Sequence, residues 1–388
     1  MIGTIDQEDS RMKKIWLFSP FILSMLAAPL CGEQKSESEI AKRPVFAQNQ
    51  KRQFSCDGTS NVEPMDYRLP KDFHGSNAFA EYLLWQTQEQ ASHFVIVPTS
   101  STIVNPNYPD TEGLGTIKSA SFDWGSGVRV GLSYTGDRDY WTALGQYTWY
   151  NTNGQNSYSR PTIDSSLQYL MPTSYAQSTT GTISASSSTF FSYQIGDFLA
   201  CRRFMPTEQI QLNFSIGATG GYIKENFDVT YGGATINTHM HNNWAFGGGG
   251  FRAGIDSNWH IGYGFGVFGR FSFATILGQY TNTNRITADA PVDSDVPPRI
   301  AHTRYQGILL MPTTQIALGF DWCRSFTNYP ISAVKVAIAG EFNNLANLQQ
   351  VFKAEGAPSG SSASKAPMFR DLSSVYMYGG TLRFGVDY

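Results

Sequence analysis

The C-terminal stretch Tyr376–Tyr388 alternates with a period of two. Counted back from the end, Tyr388, Val386, Phe384, Leu382, Gly380, Tyr378 and Tyr376 share one parity; Asp387, Gly385, Arg383, Thr381, Gly379 and Met377 share the other. A strand places successive side chains on opposite faces, so this segment asks for an apolar medium on one side and water on the other. An aromatic as the last residue of such a strand is the usual ending of an outer-membrane barrel. Phe384, Val386 and Tyr388 are therefore read as a C-terminal assembly signal for the barrel-assembly machinery. The competing reading is an edge strand of a soluble sandwich.

The start of the chain speaks to compartment. Arg11-Met12-Lys13-Lys14 precedes an apolar run from Ile15 to Leu30, the layout of a secretory leader. Residues 1–32 are read as a signal peptide, with Met12 the better initiator. The run is short for a membrane span and holds two prolines, which disfavours an anchor. Residues 33–75 are polar and aperiodic and read as a flexible periplasmic segment. Nothing after the leader reaches 18 consecutive apolar residues, so spanning helices are excluded. Charged residues make up only 15% of the chain against 14% aromatics, with 37 Gly, a mixture that suits strands and turns rather than helical layers. No basic block points to nucleic acid.

From residue 76 to 388 the spacing of segments decides the architecture. Alternating stretches fall near 77–97, 118–135, 139–150, 189–203, 208–230, 236–256, 259–281, 304–324, 331–346 and 371–388. Short gaps at 136–138, 204–207, 257–258 and 325–330 alternate with longer ones at 98–117, 151–188, 282–303 and 347–370, and with a Gly-Gly hairpin at Tyr231-Gly-Gly-Ala234. Short turns on one side and long loops on the other, with an even strand number, define a transmembrane antiparallel up-and-down β-barrel. The expected fold class is thus all-β, with about ten strands (ten to twelve, since 77–97 can split near Gln88) and both barrel ends on the periplasmic side.

The faces agree. Val334, Val336 and Ile338 oppose Lys335, Ala337, Ala339 and Glu341, and Ile210, Leu212, Phe214 and Ile216 oppose Gln209, Gln211, Asn213 and Ser215; the first sets are assigned to lipid, the second to the lumen. Trp141, Trp259 and Trp322 beside the short turns, with Trp149 and Trp244 towards the far ends, predict two aromatic girdles. One strand is discordant: uniform alternation over Phe191–Cys201 puts Asp197 on the lipid face, so a bulge or an interfacial depth is expected there.

Several segments resemble the pore-forming major outer membrane protein family of Legionella and the environmental chlamydiae: Phe79–Trp85, Asp123–Tyr134, Asn243–His260, Leu318–Arg324 and the terminal strand. The most specific is Arg252-Ala-Gly-Ile-Asp-Ser-Asn-Trp-His260. The resemblance implies a porin-like barrel of the outer membrane and carries no catalytic residues.

Arg129, Arg252, Arg270, Arg383 and Lys335 fall on polar faces, as do Asp321 and Glu341. An Arg or Lys facing lipid at mid-membrane costs about 2–4 kcal/mol, so these side chains are assigned to the interior. They would form either a charged constriction that sorts ions or a salt-bridge network that plugs a narrow barrel. Gly262, Gly264 and Gly266, placed together on one lumen face, argue for space or for close packing of another segment. Gly264–Gly269 matches a dinucleotide fingerprint only formally, because it lies in an alternating strand with no helix after it. His239 and His241, with Asp228 nearby, could hold a metal or act as rim acid and base like omptin-type barrel proteases; a solvated rim is the preferred reading. No Gly-x-Ser-x-Gly elbow is present.

In an oxidising compartment Cys56, Cys201 and Cys323 are candidates for disulfides at the periplasmic face, an odd count that leaves one for another chain; the family resemblance suggests the same cross-linking, and buried free thiols are the alternative. The expectation as a whole is a non-enzymatic outer-membrane protein without cofactor or metal, acting as a porin-like channel for ions or small hydrophilic solutes. The alternative is a non-conducting structural or adhesin-type barrel that binds partners through its outer loops. Outer-membrane lipid, small solutes, and homo-oligomers or disulfide-linked envelope proteins complete the expected partners.

Overall fold

A computed structural model describes residues 75–89, 92–98, 115–136, 141–159, 171–172, 182–207, 209–233, 237–289, 301–326, 331–354 and 368–388. The leader, residues 33–74 and Cys56 lie outside the described residues. Among those described there is no helix, and the strands are β1 (Gly75–Glu89), β2 (His93–Pro98), β3 (Gly115–Ser119), β4 (Trp124–Thr135), β5 (Trp141–Ser159), β6 (Met171–Pro172), β7 (Thr182–Phe204), β8 (Ile210–Gly233), β9 (Asn237–Gly262), β10 (Phe265–Ala288), β11 (Ala301–Ser325), β12 (Ala333–Ala354) and β13 (Met368–Asp387).

Ten of these close into one antiparallel barrel in the order β1-β13-β12-β11-β10-β9-β8-β7-β5-β4. The seam joins the two ends of the barrel sequence: Asn77 pairs with Asp387 and Tyr82 with Leu382, while Tyr388 N–H donates to the Ser76 carbonyl at 2.8 Å. Closure leaves no edge, and in hydrocarbon an open edge would strand unpaired backbone groups. Crossing a bilayer takes about 9–11 residues of tilted strand. Strands β7 to β12 run 22 to 26 residues, so the barrel wall continues well beyond the membrane on the side of the longer connections.

The exterior is apolar. Phe251 is 77% exposed and Ile308 80%, with Leu132, Phe198, Leu318 and Phe320 similarly bare, which inverts the habit of a water-soluble fold. Both strand faces assigned from sequence are confirmed: Ile210, Phe214, Ile216 and Ile338 point outward, whereas Ala337, Ala339 and Glu341 are buried inside. Trp141, Trp259 and Trp149 are exposed on the outer wall.

Four expectations are corrected. The predicted strand 118–135 breaks into β3 and β4, while 77–97 splits after Glu89 into β1 and β2, beside the Gln88 position allowed for it; β2, β3 and β6 leave the wall to form a separate three-stranded sheet. The turn expected at Ser257-Asn258 lies instead at Tyr263-Gly264, where both central residues have positive φ (54° and 81°), the twist-compatible geometry of a two-residue hairpin. Gly262 and Gly264 therefore belong to this turn and not to a lumen face. Trp244 is 2% exposed and faces inward, so it takes no part in an outer girdle. Asp197 also faces inward, and β7 pairs in register around it without a bulge. The apolar parity of that strand, taken for its lipid face, is its interior face.

Candidate functional site

The interior is built in two layers. Nearer the short turns lies a charged one. Glu81 on β1 stands opposite Arg129 on β4 and Arg383 on β13, because all three share the inward parity of paired strands. Arg129 Nη1 lies 2.6 Å from Glu81 Oε2, and its Nη2 lies 2.8 Å from Oε1 of Glu341 on β12. Its Nε donates to Thr148 Oγ1 at 3.0 Å, so the guanidinium fork is held on every side. Arg383 Nη1 and Arg270 Nη2 approach Glu81 Oε1 at 3.3 and 3.5 Å, and Arg270 Nε lies 3.4 Å from Asp256.

A second cluster ties the opposite wall. Arg252 Nε on β9 is 3.0 Å from Asp197 Oδ1 on β7, close in distance though not aligned as a hydrogen bond. Arg252 Nη1 donates to Gln315 Oε1 on β11 at 2.9 Å, and Gln315 Nε2 donates to Glu341 Oε1 at 2.5 Å, linking the two clusters. Towards the turns, Lys335 Nζ pairs with Asp321 Oδ2 at 2.6 Å, and Asn258 donates to the same oxygen at 2.9 Å. Gly266 sits against this group: a Cβ there would fall 2.5 Å from Asp321 Oδ1, so its missing side chain lets Asp321 pack and does not widen a bore.

Beyond the charges lies a mainly apolar layer. Trp85, Tyr150, Phe191, Trp244, Phe246 and Tyr280 are each at most 2% exposed, joined by Leu83, Ile223, Ile276, Met311 and Leu345. Rings run round the wall in contact: Trp85–Tyr150 at 5.3 Å, Phe122–Phe191 at 6.2 Å, Phe191–Trp244 at 6.3 Å, and Trp244 stacked on Tyr280 at 5.9 Å. Part of the polar edge is paired: the Tyr150 hydroxyl donates to the Trp85 carbonyl at 2.9 Å, Trp244 Nε1 donates to Glu225, and Gln349 Nε2 donates to Glu89 Oε2 at 2.7 Å, whereas Trp85 Nε1, Glu89 Oε1 and Glu225 Oε1 are buried without a hydrogen-bond partner among the described residues. Arg129 ties the layers together, its guanidinium 5.6 Å from the Trp85 ring.

Over the far end the β2–β3–β6 sheet packs against inward side chains of the extended wall. Phe94 and Val95 are fully buried with Phe227, Val229, Tyr231, Met240 and Ile286, and the Tyr231 hydroxyl donates to the Phe94 carbonyl at 2.7 Å.

Every interior charge named from sequence, Arg129, Arg252, Arg270, Asp321, Lys335, Glu341 and Arg383, is in this lumen. Sequence reasoning missed Glu81, on which three arginines converge, and the inward aromatics. Trp244 had a usable signal, since it shares the parity of Arg252 on one unbroken strand. Cys201 is a free thiol, and Cys323 is disulfide-bonded. His241 Nδ1 lies 2.7 Å from Asp228 and His239 Nε2 3.5 Å from Asp289, all on outward parity at the long-loop end; among the described residues no group of three or more His, Cys, Asp or Glu could hold a metal.

An edge-free antiparallel cylinder, greasy outside and charged within, with short turns at one end and long loops at the other, defines an integral β-barrel of the bacterial outer membrane. The family model of the Legionella pneumophila major outer membrane protein precursor matches residues 69–336, more than half of the chain, and the protein belongs to that family. No curated protein sequence matches it. Among solved structures, the outer membrane protease OmpT from Escherichia coli aligns at 11% identity and TM-score 0.40, covering 81% of this chain and 96% of its own. The CymD monoaromatic hydrocarbon channel aligns at 9% and 0.28, covering 81% and 88%; a Pseudomonas aeruginosa FadL homologue aligns at 10% and 0.27, covering 82% and 90%. At such scores these likenesses carry no functional argument.

Proposed function

We propose that this protein is a porin-like passage for ions and small hydrophilic solutes whose resting state is closed by the aromatic layer. The observation that carries the reading is the choice of charged side chains for the lower layer. Apolar residues of similar volume often replace buried ion pairs at no loss of stability. Filling a narrow barrel therefore gives no reason for a network of Glu81, Arg129, Glu341 and Arg252 where the same barrel, one layer away, is filled mainly with aromatic and aliphatic side chains and holds only Glu89 and Glu225 among them. Water also reaches the charges from the short-turn end, where the Lys335 and Arg383 side chains are 37% and 25% exposed against 3% for Arg129. A polar vestibule in series with a hydrophobic constriction is a gate of the dewetting type.

A second reading is a non-conducting barrel that serves the envelope structurally, favoured by the burial of both layers and the sheet packed over them. No catalytic role is assigned; peptidase activity that disappears on replacing His239 and His241 would reverse that. The deciding experiment is single-channel recording of refolded protein in planar bilayers, with graded neutral sugars in liposome swelling as a size gauge. Rare, brief openings support the gated passage. Complete silence, for the protein and for a variant lacking the Trp244 and Tyr280 rings alike, supports the structural barrel.

A further inference from the structure

The outer wall carries a cation with no carboxylate. Arg202 lies near the end of β7, directly opposite Trp141, the first residue of β5, and points outward with Ala200 and Phe204. Its guanidinium carbon sits 5.6 Å from the Trp141 ring and 5.6 Å from the Phe204 ring, and Phe204 packs edge-on against Phe214 at 5.4 Å. Among the described residues no Asp or Glu pairs with it, unlike Arg129, Arg252, Arg270 and Arg383 inside the lumen. It lines a groove of about 420 Å³ together with Trp141, Ala200, Phe204, Phe214, Ser215 and Ile216.

We propose that this groove binds one phospholipid of the inner leaflet, its phosphate on Arg202 and one acyl chain along Phe214 and Ile216. Depth supports the assignment, because Arg202 stands beside the short turns, where headgroups lie. Charge supports it too. A lipid-facing Arg costs about 2–4 kcal/mol at the bilayer midplane and about 0–1 at the interface, where a phosphate can accept both arms of the fork. Two aromatic faces hold the guanidinium in place, so little rotamer entropy is lost on binding. The apolar lining excludes a soluble anion as the natural occupant, since phosphate alone would leave the groove empty.

The full chain, refolded in dodecylmaltoside micelles, is titrated with phosphatidylglycerol carrying brominated acyl chains, which quench indoles on contact. The Trp141 component is isolated as the difference from Trp141→Phe. Saturable quenching of that component is expected. Arg202→Gln should need about tenfold more lipid, the worth of one charge-assisted contact. Arg202→Lys, which keeps the charge and loses the fork, should fall between them. Brominated diacylglycerol should give the weak curve on the parent protein, and glycerol phosphate should not compete. Identical curves for the parent, Arg202→Gln and Arg202→Lys would overturn the proposal, as would full displacement by glycerol phosphate, which would mark a free-anion site. Folding of each variant is read from heat-dependent gel mobility, and the Lys variant carries the test if the Gln variant fails to fold.

Discussion

Arg129 on β4 and Glu341 on β12 meet across the lumen at 2.8 Å, although β13 and β1 stand between their strands in the wall. With Glu81 on the other arm of the guanidinium, one side chain spans four neighbouring strands and fixes how far the wall curves there.

Removing that link should be costly. Arg129→Met leaves Glu81 and Glu341 buried with fewer partners, and breaking a buried pair from one side costs about 3–5 kcal/mol. The urea midpoint of the refolded barrel in micelles should fall accordingly. Adding Glu341→Gln should restore part of the loss, because the uncompensated charge goes with it. A double variant no better than the single one would mean that the link contributes little.

The aromatic layer should set the conductance. Trp244 stacked on Tyr280 fills the aromatic section, and the double variant Trp244→Ala/Tyr280→Ala removes both rings. Frequent, larger openings are expected in planar bilayers. Cavity formation should also destabilise the barrel by several kcal/mol, roughly 3–5 for each large aromatic. An unchanged record would place the constriction elsewhere.

Selectivity should follow the vestibule charges. Arg270 is partly water-exposed and pairs only at 3.4–3.5 Å. In the gated variant, Arg270→Glu should move the reversal potential under a salt gradient towards cation preference. The shift should shrink at high ionic strength, where the Debye length falls to about 3 Å at 1 M.

Close backbone approach makes one glycine irreplaceable. A Cβ on Gly250 of β9 would fall 1.8 Å from the Thr275 carbonyl oxygen on β10, whereas one on Gly145 of β5 meets nothing within 4 Å. Gly250→Ala should cost about 1–3 kcal/mol or more and reduce the folded fraction, while Gly145→Ala should be indistinguishable from the parent. Heat-modifiable mobility after refolding measures both.

Some of this was legible in the residues and some was not. Alternation of period two in segments such as 208–230 and 331–346 specified strands, and short gaps alternating with long ones specified an up-and-down wall of even strand number. Because a charge cannot face hydrocarbon cheaply, the sequence also placed Arg129, Arg252 and Glu341 inside. The face assignments that failed, on β7 and at Trp244, share one cause. On β7 the apolar parity of Phe191, Tyr193, Ile195 and Leu199 reads as a lipid face, yet those residues line the interior with Asp197 among them. Period two separates two faces but does not say which one looks outward when the lumen is itself apolar over part of its height. Glu81 escaped notice for the same reason, set between Phe79 and Leu83 on a face that reads as greasy.

The amino-acid order alone determined that this chain forms strands, that they close, and which medium bathes most of the outside. Which interior side chains meet was decided only by the closed barrel, because strand number, tilt and register together set the bore. Contacts such as Arg129–Glu341 and Trp244–Tyr280 join residues whose nearness depends on the curvature of the whole wall and not on any local spacing.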